Sequence, residues 1–315
     1  MIKKTGLYVS PLLTNISLAY KNDEYVAEQI MPIVPVKKDT AQITTYGMDN
    51  LRITNAIRAQ GANTNEVNHT VSIGAHYVLQ EHALKELVTM EEIDNADTPI
   101  KPKIDATENI VDRMLVIKEK LLADVMADTA VMTSNTTLAG TDQWSDYVNS
   151  DPLSDLLTGI TAVRTSTGKK PNTMIFPYGT WMVLLQHPDM TDRIKVGEVN
   201  AESVKGVILR AFPGIKNIII ADAQYNSAVE GGTDTLAEIW GSHAWVGYIE
   251  KKPSLKSRSF GFTYQNKQHR LVDEDPMSKG GEAWDRKGDF VRVTDKYDQK
   301  LVDVTCLYLI KDAVA

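Results

Sequence analysis

Histidine is the first residue type to test for chemistry, because imidazole is a common metal ligand and titrates near neutrality. The six are His69, His76, His82, His187, His243 and His269. A helical zinc site of the His-Glu-x-x-His kind needs two histidines four apart, and no pair here has that spacing. His76 and His82 flank a change of local pattern, so nothing in the chain forces them to converge. Each histidine is read as exposed or satisfied in a core, and no metal site is expected. Gly168-Lys169 in STGKK lacks the upstream glycine and the hydroxyl residue that a phosphate-binding loop requires, which leaves a turn and a solvated lysine pair. There is no Gly-x-Ser-x-Gly elbow. Asp142, Asp146 and Asp151 lack the spacing and central glycine of a calcium loop. Carboxylates are plentiful, yet no pair is singled out for acid–base work. Cys306 is the single cysteine and lies in an alternating apolar stretch, so a buried, inert thiol is expected. One cysteine also excludes an intrachain disulfide framework and a cysteine-rich zinc site. The expectation is a non-catalytic chain without a cofactor.

Lys251, Lys252, Lys256 and Arg258 form the densest basic cluster, with Trp245 and Tyr248 just before it. Such a patch can contact nucleic acid or an acidic partner. The net charge of −7 argues instead for a solvated loop between strands. At 315 residues, 43% hydrophobic and 24% charged, the chain has the composition of a globular protein with two or three domains. No apolar run approaches the roughly 18–20 residues of a membrane span. Leu7 to Leu13 follows Lys3 and Lys4, but Ser10 and Pro11 interrupt it and no small-residue cleavage site follows. An intracellular product with an intact N-terminus is expected.

The elements that position these residues centre on Asp105 to Asp128, the longest clean helical pattern. Ile110, Met114, Ile117, Leu121 and Val125 recur at spacings of three and four and are the predicted core face. Val111, Leu115 and Leu122 widen that face, and Glu108, Asp112, Arg113, Glu119, Lys120 and Asp124 occupy the remainder. Asp105 followed by Glu108 reads as a cap with an acidic first turn. At 1.5 Å per residue the helix is about 36 Å long, enough to cross a small domain as a strut.

Residues 1–38 read as a mostly aperiodic apolar arm broken by Pro11, Pro32 and Pro35, with a short helical turn or two around Glu24 to Gln29. Ala41 to Tyr46 reads as one strand. Val67 to Leu79 alternates with period two over about 40 Å. Residues 47–65 between them are rich in Asn and Gly, and a lone two-stranded hairpin is marginal in water. Something outside the subunit, most simply another copy, is expected to support it. His82 to Met90 reads as a short helix, and 95–103 as a linker. From Asp151 to Gln265 helices alternate with short apolar strands, an inserted α/β domain. Asp289 to Thr294 and Leu301 to Ile310 read as a closing β-hairpin.

This order of parts is similar to that of the tailed-phage major capsid proteins, the Hong Kong phage fold of the Caudovirales (Duplodnaviria), shared with encapsulins and the herpesvirus capsid floor. The stretches LTNISLAYKNDEYVAEQIMPIVPV (13–36) and PNTMIFPYGTWMVLLQHPDM (171–190) also resemble phage capsid sequence. The likeness covers nearly the whole chain and rests on segment order and texture. It implies an α+β chain with four parts. These are an N-terminal arm (1–38), an extended hairpin loop (39–80), a peripheral domain (81–150 and 266–315) with the spine helix at 105–128, and an axial domain (151–265).

What the resemblance implies is a structural coat subunit, assembling through hexamers and pentamers into an icosahedral head around double-stranded DNA. Expected partners are other copies of the chain, a portal, scaffolding and decoration proteins, and DNA by non-specific contact. A virion assembled in the host bacterial cytoplasm is the expected location. Asn50, Arg52, Arg58, Glu66 and His69 are the expected intersubunit residues of the loop. Some family members weld subunits by a lysine–asparagine isopeptide bond, but no lysine occurs between Lys38 and Lys85, so a non-covalent shell is expected. With no long helical leader before the arm, a built-in scaffold domain is not expected. Two alternatives stand beside this reading: an encapsulin-like nanocompartment, and a cytosolic α/β enzyme or binding module with a dimerising β-arm.

Overall fold

Two sheets share one long helix. The computed structural model describes residues 8–20, 25–46, 52–67, 71–97, 100–194, 201–229, 231–252, 258–267 and 270–315. The chain begins with β1 (Tyr8–Val9) and α1 (Pro11–Ala19), followed by α2 (Ala27–Ile30) and β2 (Ile33–Val36). The arm is less aperiodic than expected: residues 11–19 form a helix that starts at Pro11. The proline occupies the first turn of α1, where a missing N–H costs nothing, and the Leu13 N–H donates to the Ser10 hydroxyl at 3.5 Å. The arm packs on its own subunit, with Leu13, Val26, Ala27, Ile30 and Met31 all buried.

Next come the hairpin strands β3 (Thr40–Tyr46) and β4 (Val71–Val78), then β5 (Gln80–Thr89), α3 (Met90–Asp94) and the spine α4 (Pro102–Ala127). The helix expected over His82 to Met90 is a strand. Ala83, Leu84, Lys85, Glu86 and Leu87 favour a helix locally, but a ladder with a distant strand from Thr89↔Gly288 to Gln80↔Tyr297 overrides that preference. The helix begins only at Met90, where Thr89 and Glu92 form a reciprocal capping box. In α4 the capping role expected of Asp105 is also corrected: Pro102 opens the helix and Asp105 lies in its first turn.

The middle of the chain holds β6 (Asn135–Thr137), α5 (Pro152–Thr167), β7 (Thr173–Pro177), α6 (Tyr178–Gln186), α7 (Pro188–Thr191), α8 (Ala201–Ala211), β8 (Asn217–Ala221), β9 (Gln224–Asn226), β10 (Leu236–Glu238) and β11 (Ala244–Gly247). Asp151 caps α5 through the Ser154 N–H at 3.0 Å, and Gly168 ends it in the left-handed region at φ 71°. The last elements are β12 (Gly261–Asn266), β13 (Leu271–Asp275), α9 (Glu282–Asp285), β14 (Gly288–Leu301) and β15 (Leu307–Lys311).

The first sheet runs β1-β13-β14-β12-β2, with β5 also on β14; the second runs β6-β15-β11-β7-β8. This pairing corrects two expectations. β14 is one long strand from Gly288 to Leu301, and β15 joins the other sheet beside β11, so the closing hairpin does not form. β12 pairs with β14 and β2, which takes residues 261–266 out of the inserted α/β layer. The N-terminal half of α4 packs on Val88, Val272, Val291 and Val293 of the first sheet. Its C-terminal half packs on Trp240, Trp245, Leu307 and Leu309.

Candidate assembly surfaces

The β3–β4 hairpin is anchored at its base. Tyr77 stacks on Tyr264 at 4.5 Å, and Leu79, Ala41 and Ile43 close a small cluster with Val34 and Val36. Pairing runs from Thr40↔Val78 to Tyr46↔Val71, with an irregularity between Gln42 and Thr44. Past the stem, residues 52–67 form neither strand nor helix, and all are exposed. Arg52, Arg58 and Glu66 lie on this loop; Asn50 and His69 fall outside the described residues. The loop also presents Ile53, Ile57 and Val67 to water, which residue counting did not single out. Within it the Asn65 amide donates to the Asn55 carbonyl at 2.7 Å and the Ile57 N–H to the Asn55 side-chain carbonyl at 3.0 Å. Three aliphatic side chains on an arm without a core are suited to burial elsewhere.

The spine helix departs from the predicted core face halfway along. Ile110 and Met114 are buried, but Ile117, Leu121 and Val125 are 43%, 46% and 38% exposed. Lys118, Glu119, Leu122, Ala123 and Met126 point inward instead. The physical reason is a polar hub. Glu119 accepts from the backbone N–H of Val26 at 3.1 Å, of Ala27 at 2.7 Å, and from the Trp240 indole at 2.7 Å. Burial pushes the Glu119 carboxyl up from its ordinary value, outweighing these hydrogen bonds and the nearby Lys118 charge. Lys118 reaches Glu28 at 2.8 Å and lies over the Tyr297 ring. The expected polar stripe of α4 is therefore not a free surface: Asp112 also accepts from the hydroxyls of Tyr20 and Tyr25. Exposed Leu121 and Val125 help to line an open depression of 190 Å³, together with Met31, Leu122, Tyr297 and Leu301 and with the polar residues Gln80, His82, Asp298 and Gln299.

The basic cluster separates in space. Lys251 and Lys252 are exposed, and Lys256 lies outside the described residues. Arg258 is not an outward contact, because it holds Asp303 through two nitrogens at 2.5 and 2.6 Å. Cys306 is buried and its thiol is pushed up to about 12 by desolvation and by Asp303, which makes it a poor nucleophile. Among the described residues no group of three or more His, Cys, Asp or Glu is placed to hold a metal ion. No described helix is long and apolar enough to cross a membrane.

One arrangement looks catalytic until its hydrogen bonds are followed. Ser150 Oγ lies 3.1 Å from His187 Nε2, and Asp189 Oδ2 lies 3.6 Å from His187 Nδ1. However, Nδ1 accepts the Asp189 backbone N–H at 3.2 Å, so in the neutral ring the proton sits on Nε2 and points at the serine. A histidine in that tautomer cannot take the serine proton. The Ser150 hydroxyl in turn donates to the Asp146 carbonyl at 2.7 Å. Burial holds the His187 ring below the usual histidine value, which keeps it neutral. The cluster fastens a turn to α7.

No family model matches the chain. The major capsid protein of Burkholderia phage BcepMu is 26% identical over 313 residues, covering 96% of this chain and 95% of that one. A crystal structure of a phage-related protein from Bordetella bronchiseptica RB50 superposes with a TM-score of 0.75 at 23% identity, over 98% of this chain and 99% of that one. The capsid structure of cyanophage P-SCSP1u gives a TM-score of 0.57 at 10% identity, over 91% of this chain and 88% of that one.

The chain has the tailed-phage capsid fold.

Both relative and neighbour span nearly the full chain, so the likeness includes the arm, loop and both sheets.

Proposed function

We infer that the chain is a tailed-phage major capsid protein, a structural subunit whose work is surface burial between copies. The single observation that carries this reading is its likeness to the phage BcepMu major capsid protein along 96% of its length. Subunits meet as hexamers and pentamers of an icosahedral head that encloses double-stranded DNA, with the inserted units at capsomer centres. The loop at 52–67, with Arg52, Ile53, Ile57, Arg58 and Glu66, lies on a neighbouring copy, where its aliphatic side chains leave water. Exposed Lys251 and Lys252 touch DNA or an acidic partner without reading sequence. Portal, scaffolding and decoration proteins complete the head, and the subunit resides in the virion shell. It is not an enzyme, and the shell is non-covalent.

Electron microscopy of the purified chain tests this directly: closed shells are expected, and a small discrete oligomer under all conditions would remove the reading. Denaturing gels of particles should show one band near 35.0 kDa, and a ladder would contradict a non-covalent shell. Deleting 52–65 should leave a folded subunit that no longer assembles.

A further inference from the structure

Asn172 ties three loops together at one end of the second sheet. Its backbone carbonyl accepts the N–H of Lys216 at 2.8 Å and of Asn217 at 3.0 Å, and its own N–H donates to the Gly247 carbonyl at 2.9 Å. Its side-chain amide donates to the Ile249 carbonyl at 2.8 Å, while its side-chain oxygen accepts the Ile249 N–H at 2.9 Å. The loops so joined enter β7, enter β8 and leave β11, which are neighbouring strands. With strands about 4.8 Å apart, the three loops stand side by side across about 10 Å. Each carries lysine: Lys169 and Lys170 on the first, Lys216 on the second, Lys251 and Lys252 on the third. Lys170, Lys216, Lys251 and Lys252 are exposed, and Lys169 lies over the Tyr248 ring at 4.5 Å. The lysine pair that spacing reads as an isolated turn thus joins a cluster drawn from three distant segments.

The positive charge survives its acidic neighbours. Glu28 and Glu202 share a depression with Lys216 and Lys251, but Glu28 meets Lys118 at 2.8 Å and Glu202 meets Lys205 at 3.5 Å. Asp303, behind the third loop, is held by Arg258. Exposed Arg164 and Arg210, near the ends of α5 and α8, add to the lysines. On the loops themselves, 168–172, 213–217 and 248–252, five lysines stand beside one carboxylate, Glu250, whose Oε2 accepts the Tyr248 hydroxyl at 2.6 Å. This concentration occurs in a chain of net charge −7. The loop cations are all lysine, compact point charges that suit phosphate oxygens, whereas recognition of carboxylates favours the arginine fork. Tyr248, the one aromatic ring on these loops, is covered by Lys169, which leaves no platform for stacking the bases of a single strand.

We propose that this cluster is a contact surface for the phosphate backbone of double-stranded DNA, with Asn172 as the residue that holds its three loops side by side. The contact is blind to sequence, because lysines on phosphates fix position without reading bases. It extends the contact of Lys251 and Lys252 to Lys169, Lys170 and Lys216, and it rests on the shell reading, which brings DNA to the subunit.

The test titrates unassembled full-length subunits against a fluorescent duplex of about 30 base pairs, from roughly 50 to 200 mM salt. Five lysines on five phosphates give a slope of log affinity against log salt of about −4.5. Lys170→Gln, Lys216→Gln and Lys251→Gln together should flatten that slope by about 2.7 and weaken binding at low salt about tenfold or more, with no shift in the denaturation midpoint. A control triple, Lys37→Gln, Lys38→Gln and Lys101→Gln, makes the same change in net charge at exposed lysines elsewhere and should leave slope and affinity unchanged. Equal losses in the two triples, or no duplex binding at the lowest salt, would overturn the contact. So would displacement by poly-glutamate more readily than by unlabelled duplex of matched charge, which would assign the cluster to an acidic protein segment. Shells that form while the first triple binds DNA as wild type does remove the contact alone. Duplex binding through these lysines in a chain that never forms shells removes the shell reading alone.

Discussion

The Trp240 indole donates to the Glu119 carboxylate across 2.7 Å, joining residues 121 positions apart in the chain. The same carboxylate takes the Val26 and Ala27 backbone N–H groups. One side chain on the spine thus ties the N-terminal segment and the bend that carries Trp240 to α4. Replacing it by alanine strands three buried donors. Glu119→Ala should cost about 3 kcal/mol or more of subunit stability by urea denaturation. Glu108→Ala, on the same helix and without such partners, should stay within about 0.5 kcal/mol.

The pH dependence at this site has a definite sign. Burial lifts the Glu119 carboxyl above the ordinary 4.5. Between that value and the folded one, the folded chain holds the proton more tightly than the unfolded chain. Stability from this group is therefore complete below about 4.5 and is lost as pH rises through the folded value. Denaturation curves of wild type minus Glu119→Gln should show the difference growing as pH falls through that window; a difference that shrinks would refute the burial-dominated account.

On α4, adjacent leucines should behave oppositely. Leu122 is buried against the second core, so Leu122→Ala should cost about 2–5 kcal/mol. Leu121 is nearly half exposed in one subunit, so Leu121→Ala should cost under about 1 kcal/mol there and act on assembly instead. Denaturation of unassembled subunits, followed by particle counting, separates the two effects.

Ser150 should be chemically inert despite its triad-like neighbours. With Nδ1 of His187 occupied by the Asp189 N–H, no base faces the serine. A fluorophosphonate probe should leave Ser150 unlabelled when digests are read by mass spectrometry. Stoichiometric labelling would show that the histidine adopts the other tautomer.

Gly247 sits in β11 between β7 and β15, where an added Cβ would meet the Leu307 side chain and lie 2.8 Å from the Cys306 carbonyl. Gly247→Ala should therefore lower stability by about 1–3 kcal/mol, as overpacking does. A thermal scan showing an unchanged midpoint would mean that β15 shifts freely, against the tight register seen here.

Local patterns were good guides wherever an element's neighbours were close in sequence or its turn chemistry was explicit. Asp151-Pro152 marked the start of α5, and the apolar run Asn217 to Ala221 marked a strand. The hairpin strands were legible from alternation: among the described residues β4 covers Val71–Val78, while Val67, where the alternation begins, is not in a strand and 68–70 lie outside the described residues. Reading failed where distant partners decided. Residues 82–89 have helical composition and became a strand because β14 was there to pair with them. Residues 289–310 read as a hairpin because spacing cannot show that the strands on either side of 302–306 enter different sheets.

The sequence by itself determined that the chain has a long amphipathic spine, two alternating strands joined by a long polar connection, and no short catalytic or metal motif. These follow from periodicity, composition and spacing, which are local quantities. Only the tertiary structure decided which way the second half of the spine faces. Helical periodicity favours Ile117, Leu121 and Val125 as the inward side. Three donors from two remote segments draw Glu119 inside instead and turn those aliphatic side chains outward. Apolar spacing measures how readily a face can be buried; what covers it depends on partners that spacing does not encode.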